Sequence, residues 1–140
     1  MKRRAFLGSI TGPVVAACAV CMGACSKTTG SDSFTSGGVS ANFNVDLLTN
    51  ITTVGSSILQ NGIVIVRLAT GNVPASFTAV QAACTHQGTF VSYNQAANKF
   101  ICPNHGANFS TTGAVTQGPA TNPLKVYVIT ISGSTMTVIG

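Results

Sequence analysis

The side chains that could bind a metal ion fall in two short segments of the chain. One segment carries Cys84 and His86, and the other carries Cys102 and His105. These two histidines are the only ones in the chain, and no other cysteine lies beyond residue 25. Thiolates and imidazoles are the ligands that zinc and iron–sulfur centres use in proteins. The two matched pairs therefore predict one shared metal site.

The residues alone leave three interpretations of these segments open. Cys84 and Cys102 could form a disulfide in an exported protein, but the positions of both histidines would then be unexplained. Two thiolates and two imidazoles could also hold tetrahedral zinc, although a single residue between Cys84 and His86 is short for a zinc site. The third interpretation is an iron–sulfur cluster with mixed cysteine and histidine ligands.

The remaining sequence predicts strands that would position the two segments. Alternating or continuous apolar runs, bounded by turn residues, occupy 39–47, 62–69, 76–80, 89–93, 99–101, 124–131 and 135–139. Residues 51–61 show no clear pattern. Short, closely spaced strands without an amphipathic helix favour an all-β fold, an antiparallel sandwich or barrel. We expect each metal-binding segment to form a loop between two strands, with both loops at one end of the fold.

The segments 84–88 and 102–106 closely resemble the two cluster-binding loops of the Rieske family. Residues 118–124, with Gly-Pro-Ala followed by Pro-Leu, resemble the proline-bearing loop that covers the cluster in that family. The resemblance extends over about residues 40–140. It implies a Rieske-type β sandwich or barrel with a [2Fe-2S] cluster as cofactor. It also implies that Cys84 and Cys102 bind one iron, and that His86 and His105 bind the other.

Four positions differ from the quinol-oxidising members of the family. Those relatives carry a second cysteine in each loop and join the two by a disulfide, whereas this chain has Asn104 in the second loop and no cysteine after Gly88. They also place a serine and a tyrosine where this chain has Ala107 and Phe109. The loss of hydroxyl donors near the cluster predicts a reduction potential in the low or middle part of the Rieske range.

The N-terminal region predicts export. Residues 1–24 combine a basic start, including paired arginines, with an apolar run, and resemble a twin-arginine signal that ends in a lipoprotein cleavage box. Cys25 is the predicted lipidation site, and Cys18 lies in a rival cleavage box. Residues 25–40 are rich in Ser, Thr and Gly and predict a flexible tether before the domain at 41–140. We therefore expect a lipid anchor on the exported side of a bacterial membrane.

Composition limits the remaining functions. Only 6% of residues are charged, and the net charge of +5 includes three basic residues at positions 2–4. No basic cluster suited to nucleic acid is present. No independent catalytic constellation is visible, which leaves enzyme status open. The predicted function is one-electron transfer with redox partner proteins, as a carrier or as a small subunit of a respiratory complex. The alternative is a redox-silent zinc-binding or structural envelope protein.

Overall fold

The computed structural model describes residues 42–140, so the predicted signal (1–24), the tether (25–40) and Cys25 lie outside the described residues. The described part forms strands joined by short turns. They are β1 (Asn42–Asp46), β2 (Ser57–Gln60), β3 (Ile63–Arg67), β4 (Phe77–Gln81), β5 (Ser92–Asn94), β6 (Lys99–Ile101), β7 (Asn108–Ser110), β8 (Val115–Gln117), β9 (Val128–Ser132) and β10 (Thr135–Ile139). A turn of 3-10 helix at Pro74–Ser76 precedes β4. Within residues 42–140, no helix has the length and apolar character needed to cross a membrane.

All strand pairings between these elements are antiparallel, which confirms the predicted all-β antiparallel fold. Two sheets have three strands each, in the orders β1-β10-β9 and β2-β3-β4. The third sheet has the order β5-β6-β7-β8, so each of its strands pairs with the next along the chain. The second Cys/His segment joins β6 and β7 of this third sheet, and the first lies between β4 of the β2-β3-β4 sheet and β5.

Strand β3 lies between two hydrophobic cores. Ile63 and Ile65 point into one core, with Val45 and Met136 from the sheet that contains β1 and β10. Val64 and Val66 point into the other core. Because side chains alternate along a strand, a continuous apolar run can fill two cores at once. The β-branched run of β3 is therefore buried on both faces, as its sequence predicted.

The core that contains Val64 and Val66 also contains the residues that support the candidate metal site. Phe100 and Phe109, which face each other across β6 and β7, are both fully buried in it. Cys84 and Cys102, the first residues of the two Cys/His loops, belong to the same core. The loops that carry the cysteines are thus fixed to packed aromatic side chains, and this rigid base limits how far the two sulfur atoms can move apart.

Three of the strands were not predicted from the sequence, namely β2, β7 and β8. Strand β2 alternates between exposed and half-buried residues, because it lies at the edge of its sheet. Strands β7 and β8 have only three residues each, which is too short for periodicity to be recognised. Strand β5 begins at Ser92, whereas the pattern predicted a strand over 89–93. Residues before β5 instead form an isolated bridge between Ala83 and Phe90.

Candidate metal centre

The first loop, residues 84–89, is the tip of a narrow antiparallel arm. The backbone N–H of Cys84 donates to the carbonyl of Thr89 at 2.9 Å, and the N–H of Gly88 donates back to the carbonyl of Cys84 at 2.8 Å. Gly88 has a φ of 77°. This left-handed conformation favours glycine, because a Cβ would crowd the following carbonyl. The glycine therefore closes the turn that carries His86.

The second loop, residues 102–107, repeats the same construction at the tip of the β6–β7 hairpin. The N–H of Cys102 donates to the carbonyl of Ala107 at 2.8 Å, and the N–H of Gly106 donates to the carbonyl of Cys102 at 3.0 Å. Gly106 has a φ of 74°. In both loops the glycine stands four residues after the cysteine. The spacing from cysteine to histidine differs between the two loops, but their backbone hydrogen bonds and the position of the glycine are the same.

The two loops bring the cysteine thiols together beneath the surface. Cys84 is 3% exposed and Cys102 is 2% exposed, and both thiols are free, so the disulfide considered from the sequence is not formed. Burial raises the pKa of the Cys84 thiol, and the neighbouring Cys102 raises it further. The backbone N–H groups of His86 and Gln87 point at the Cys84 sulfur and act in the opposite direction. Both groups would become thiolates at this buried position only with a positive charge between them.

The two imidazoles lie at the surface, directly against each other. The ring centroids of His86 and His105 are 5.0 Å apart, and the ring planes are inclined by 83°. Both residues are exposed. The structure thus groups the four predicted site residues as a buried sulfur pair and an exposed imidazole pair. Among residues 42–140, no three or more His, Cys, Asp or Glu side chains surround one common point as ligands of a single ion would.

A third loop, residues 118–124, is hydrogen-bonded to the first loop, and the strand before it is hydrogen-bonded to the second. The Thr85 hydroxyl donates to the carbonyl of Asn122 at 2.6 Å. The side-chain amide of Gln117, at the end of β8, donates to the carbonyl of Gly106 at 3.4 Å. Ala120 and Leu124 anchor the third loop in the core that contains the cysteines. The proline-bearing segment identified in the sequence is therefore bonded directly to the first Cys/His loop, and the residue before it, Gln117, is bonded to the second.

The sequence alone does not identify Asn108 or Gln117 as part of the site, and it does not predict the contact between Asn122 and the first loop. Their contacts join positions that are distant in the chain or that depend on the register of β7 and β8. A single sequence carries no signal for such contacts. Polar amides in short loops are common, and nothing in their spacing distinguishes them.

Comparison with known proteins identifies the family. The Rieske [2Fe-2S] domain family matches residues 41–128. The cytochrome b6-f complex iron-sulfur subunit of Chlorobaculum thiosulfatiphilum is 42% identical over 65 residues, which are 46% of this chain and 36% of that protein. The chain thus matches about a third of the length of this curated relative.

Two solved structures share the fold. The plasma membrane Rieske protein of the cyanobacterium Synechocystis PCC 6803 is 34% identical, with a TM-score of 0.58, and the alignment covers 70% of this chain and 99% of that one. The ferredoxin of carbazole 1,9a-dioxygenase from Nocardioides aromaticivorans is 20% identical, with a TM-score of 0.56, and the alignment covers 71% of this chain and 98% of that one. At this lower identity the likeness concerns the fold alone.

The residues present fit a [2Fe-2S] cluster. Such a cluster has two iron atoms, and this structure offers its donors as two separate pairs, one of thiols and one of imidazoles. Ferric iron would supply the positive charge that the two buried thiols need in order to lose their protons and act as ligands. The donor chemistry and the family match lead to the same cofactor. This chain belongs to the Rieske [2Fe-2S] domain family and takes a [2Fe-2S] cluster as its cofactor.

Proposed function

We propose that Cys84 and Cys102 bind one iron of the cluster and that His86 and His105 bind the other. The observation that carries this assignment is the separation of the four side chains into a buried sulfur pair and an exposed imidazole pair in contact. The matched backbone of the two loops supports it, because both cysteines occupy the same position in their loops. These four residues are also the ones that residue type and spacing single out in the sequence.

We further propose that the protein transfers single electrons. A [2Fe-2S] cluster supplies reversible one-electron exchange. The residues of the chain have two further roles, which are to exclude water and to provide access for a partner. The buried cysteines and the aromatic core below them exclude water from one side of the site. The exposed His86 and His105 form the edge of the protein that a redox partner can approach.

The cellular setting follows as part of this proposal. The Chlorobaculum relative is named as a subunit of a cytochrome b6-f complex, and the Synechocystis protein as a plasma membrane protein. Both names support a role at a membrane, either as a carrier or as a small subunit of a redox complex. We assign attachment to a lipid on Cys25 after export through a twin-arginine signal, with residues 25–40 as the tether. Mass spectrometry of the mature N-terminus distinguishes Cys25 from Cys18.

The ligand assignment is tested by iron and acid-labile sulfide analysis of the purified protein, with an EPR spectrum after reduction by dithionite. The expected result is two irons and two sulfides per chain and a rhombic EPR signal. Replacing His86 or His105 by alanine should abolish this signal. Replacing the neighbouring Gln87 by alanine is the matched control and should retain it. Zinc without sulfide in the wild-type protein would refute the proposal.

The choice between carrier and subunit requires a different measurement. Purification from membranes in mild detergent should yield a stable complex with other redox proteins if the chain is a subunit. A free carrier would purify alone and would still exchange electrons with added redox proteins.

A further inference from the structure

A β-bulge lies beside the second loop. The pairing of β7 with β8 matches Asn108 with Gln117 and Phe109 with Val115, so one step along β7 corresponds to two steps along β8. Thr116 is the extra residue. Bulges turn the strand locally and redirect the side chains next to them. Here the redirected side chain is that of Gln117, the last residue of β8.

The redirected Gln117 takes part in a chain of two hydrogen bonds. The side-chain amide of Asn108 donates to Gln117 Oε1 at 2.8 Å. The amide nitrogen of Gln117 donates in turn to the carbonyl of Gly106 at 3.4 Å. Asn108 is only 6% exposed, so its amide would be costly to bury without this partner. The buried residue therefore fixes the orientation of the exposed one.

The second of these hydrogen bonds ends at the residue next to His105. Gly106 directly follows His105, has a left-handed φ of 74°, and donates its own N–H to the carbonyl of Cys102 at 3.0 Å. Its N–H and its carbonyl are thus both held. Gln117 also directly precedes the third loop, residues 118–124. One side chain consequently connects the base of the third loop to the turn that carries His105.

We propose that Asn108 and Gln117 are positioning residues for the cluster. This amide pair holds the carbonyl of Gly106, the residue after His105, in place, and thereby sets the orientation of that imidazole and how tightly the second loop retains iron. The inference rests on the proposed ligand assignment of His105. It adds a function for two residues that contribute no ligand and are not part of the Cys/His motifs.

The test compares the holoprotein with the variant Gln117→Met, which keeps the length of the side chain but removes both hydrogen bonds. The control is Gln60→Met, the same chemical change at the end of β2 in a different sheet. We expect Gln117→Met to lose iron to a chelator about three- to tenfold faster than wild type and to show altered EPR g-values after reduction. The control should change neither quantity.

A second variant, Asn108→Leu, tests whether the two residues act together. If they do, adding Gln117→Met to Asn108→Leu should accelerate iron loss much less than Gln117→Met does in the wild-type background. Should Asn108→Leu fail to fold, the exposed Gln117 still provides the deciding comparison. Wild-type rates of iron loss and wild-type g-values in Gln117→Met would overturn the inference. A lower melting temperature with unchanged g-values would overturn it as well, because it would show a general loss of stability. Absence of a cluster from wild type would instead refute the ligand assignment.

Discussion

His86 and His105 meet edge to face at the surface, with ring centroids 5.0 Å apart, although they come from different loops. Neither ring is held by a packed core, since both residues are exposed. Their approach is set by the backbone of the two loops, and each loop is closed by a hydrogen bond from its glycine to its cysteine. The ring pair therefore depends on the conformation of its loops and on the side chains that surround them.

The loop glycines should resist substitution for reasons of backbone conformation. A Cβ at Gly88 or Gly106 would meet no other atom within 4 Å, so only the left-handed φ opposes a side chain. We expect Gly88→Ala and Gly106→Ala each to destabilise the fold by about 1–2 kcal/mol and to accelerate iron loss. Asparagine, which tolerates this conformation better, should restore part of the loss at either position.

The matched control for the glycine variants is Gly118→Ala. A Cβ added at Gly118 would also meet open space, but the φ of this residue lies outside the left-handed region. Urea unfolding and iron release to a chelator measure both effects. An equal cost at Gly118 and at the two loop glycines would show that the conformation of the turns is not the cause.

Ala107 should keep the reduction potential low. It is fully buried and directly follows Gly106 in the second loop, at a position where quinol-oxidising relatives of the family carry a serine. A hydroxyl that donates more strongly to the reduced state adds about 1 kcal/mol to its stability, which is about 40 mV for one electron. We expect Ala107→Ser to raise the potential by that amount, as measured by redox titration followed by EPR.

The control for this potential shift is Ala114→Ser, because Ala114 is exposed in the turn between β7 and β8. It should leave the potential unchanged. A lower potential in Ala107→Ser would contradict the interpretation that missing hydroxyl donors explain a modest potential in this protein.

The sequence predicts four candidate site residues, which the structure groups in two pairs, but it does not predict the side chains that support their loops. Cys84, His86, Cys102 and His105 were identified because scarce residue types recur at close spacing. Strand β3 was predicted because a continuous run of β-branched residues, in a chain of short strands, indicates a buried strand. The amide pair could not be identified, because its contacts depend on a bulge in a three-residue strand. Periodicity carries no information at that length.

Arg67 shows a second contact that the sequence does not reveal. It is a buried cation at the end of β3, and its guanidinium donates to the carbonyls of Ile51 and Gly71 at 2.7 and 3.1 Å and to the side chain of Asn72 at 2.9 Å. It also lies 4.6 Å from the centre of the Phe77 ring. We expect Arg67→Met to cost about 2–4 kcal/mol of stability, because the buried carbonyl of Ile51 and the partly buried carbonyl of Gly71 lose their donor.

Thermal unfolding measures this cost, and Lys99→Met is the control. Lys99 is a half-buried cation in β6, for which no comparable set of hydrogen bonds to backbone carbonyls is found in the described part of the chain. The EPR spectrum of Arg67→Met should remain that of wild type, since Arg67 is not among the residues of the three loops. A small stability change, near that of Lys99→Met, would refute the role of Arg67 in holding the segments around Ile51 and Gly71.

Redox partners should associate with the surface around the histidine pair at rates that long-range electrostatic attraction does not increase. Residues 82–98 and 100–124, which include all three loops, contain no Asp, Glu, Lys or Arg. Lys125 follows the third loop, but its amino group lies 4.8 Å from the Tyr127 ring centre. Charge near a binding site is what makes association rates fall or rise steeply with salt. Because this surface carries no charged side chain, we expect the association rates of both anionic and cationic partners to depend only weakly on salt.

This last prediction is measured by stopped-flow reduction of the oxidised protein with a dianionic and a dicationic metal complex. Between about 10 mM and about 1 M salt, where the screening length falls from about 30 to about 3 Å, each rate constant should change by less than about twofold. The variant Gln87→Lys places a cation beside His86. It should make reduction by the dianion fall with added salt and reduction by the dication rise, because screening weakens attraction and repulsion alike. A strong salt dependence in wild type would show that charges elsewhere on the protein govern the approach of partners.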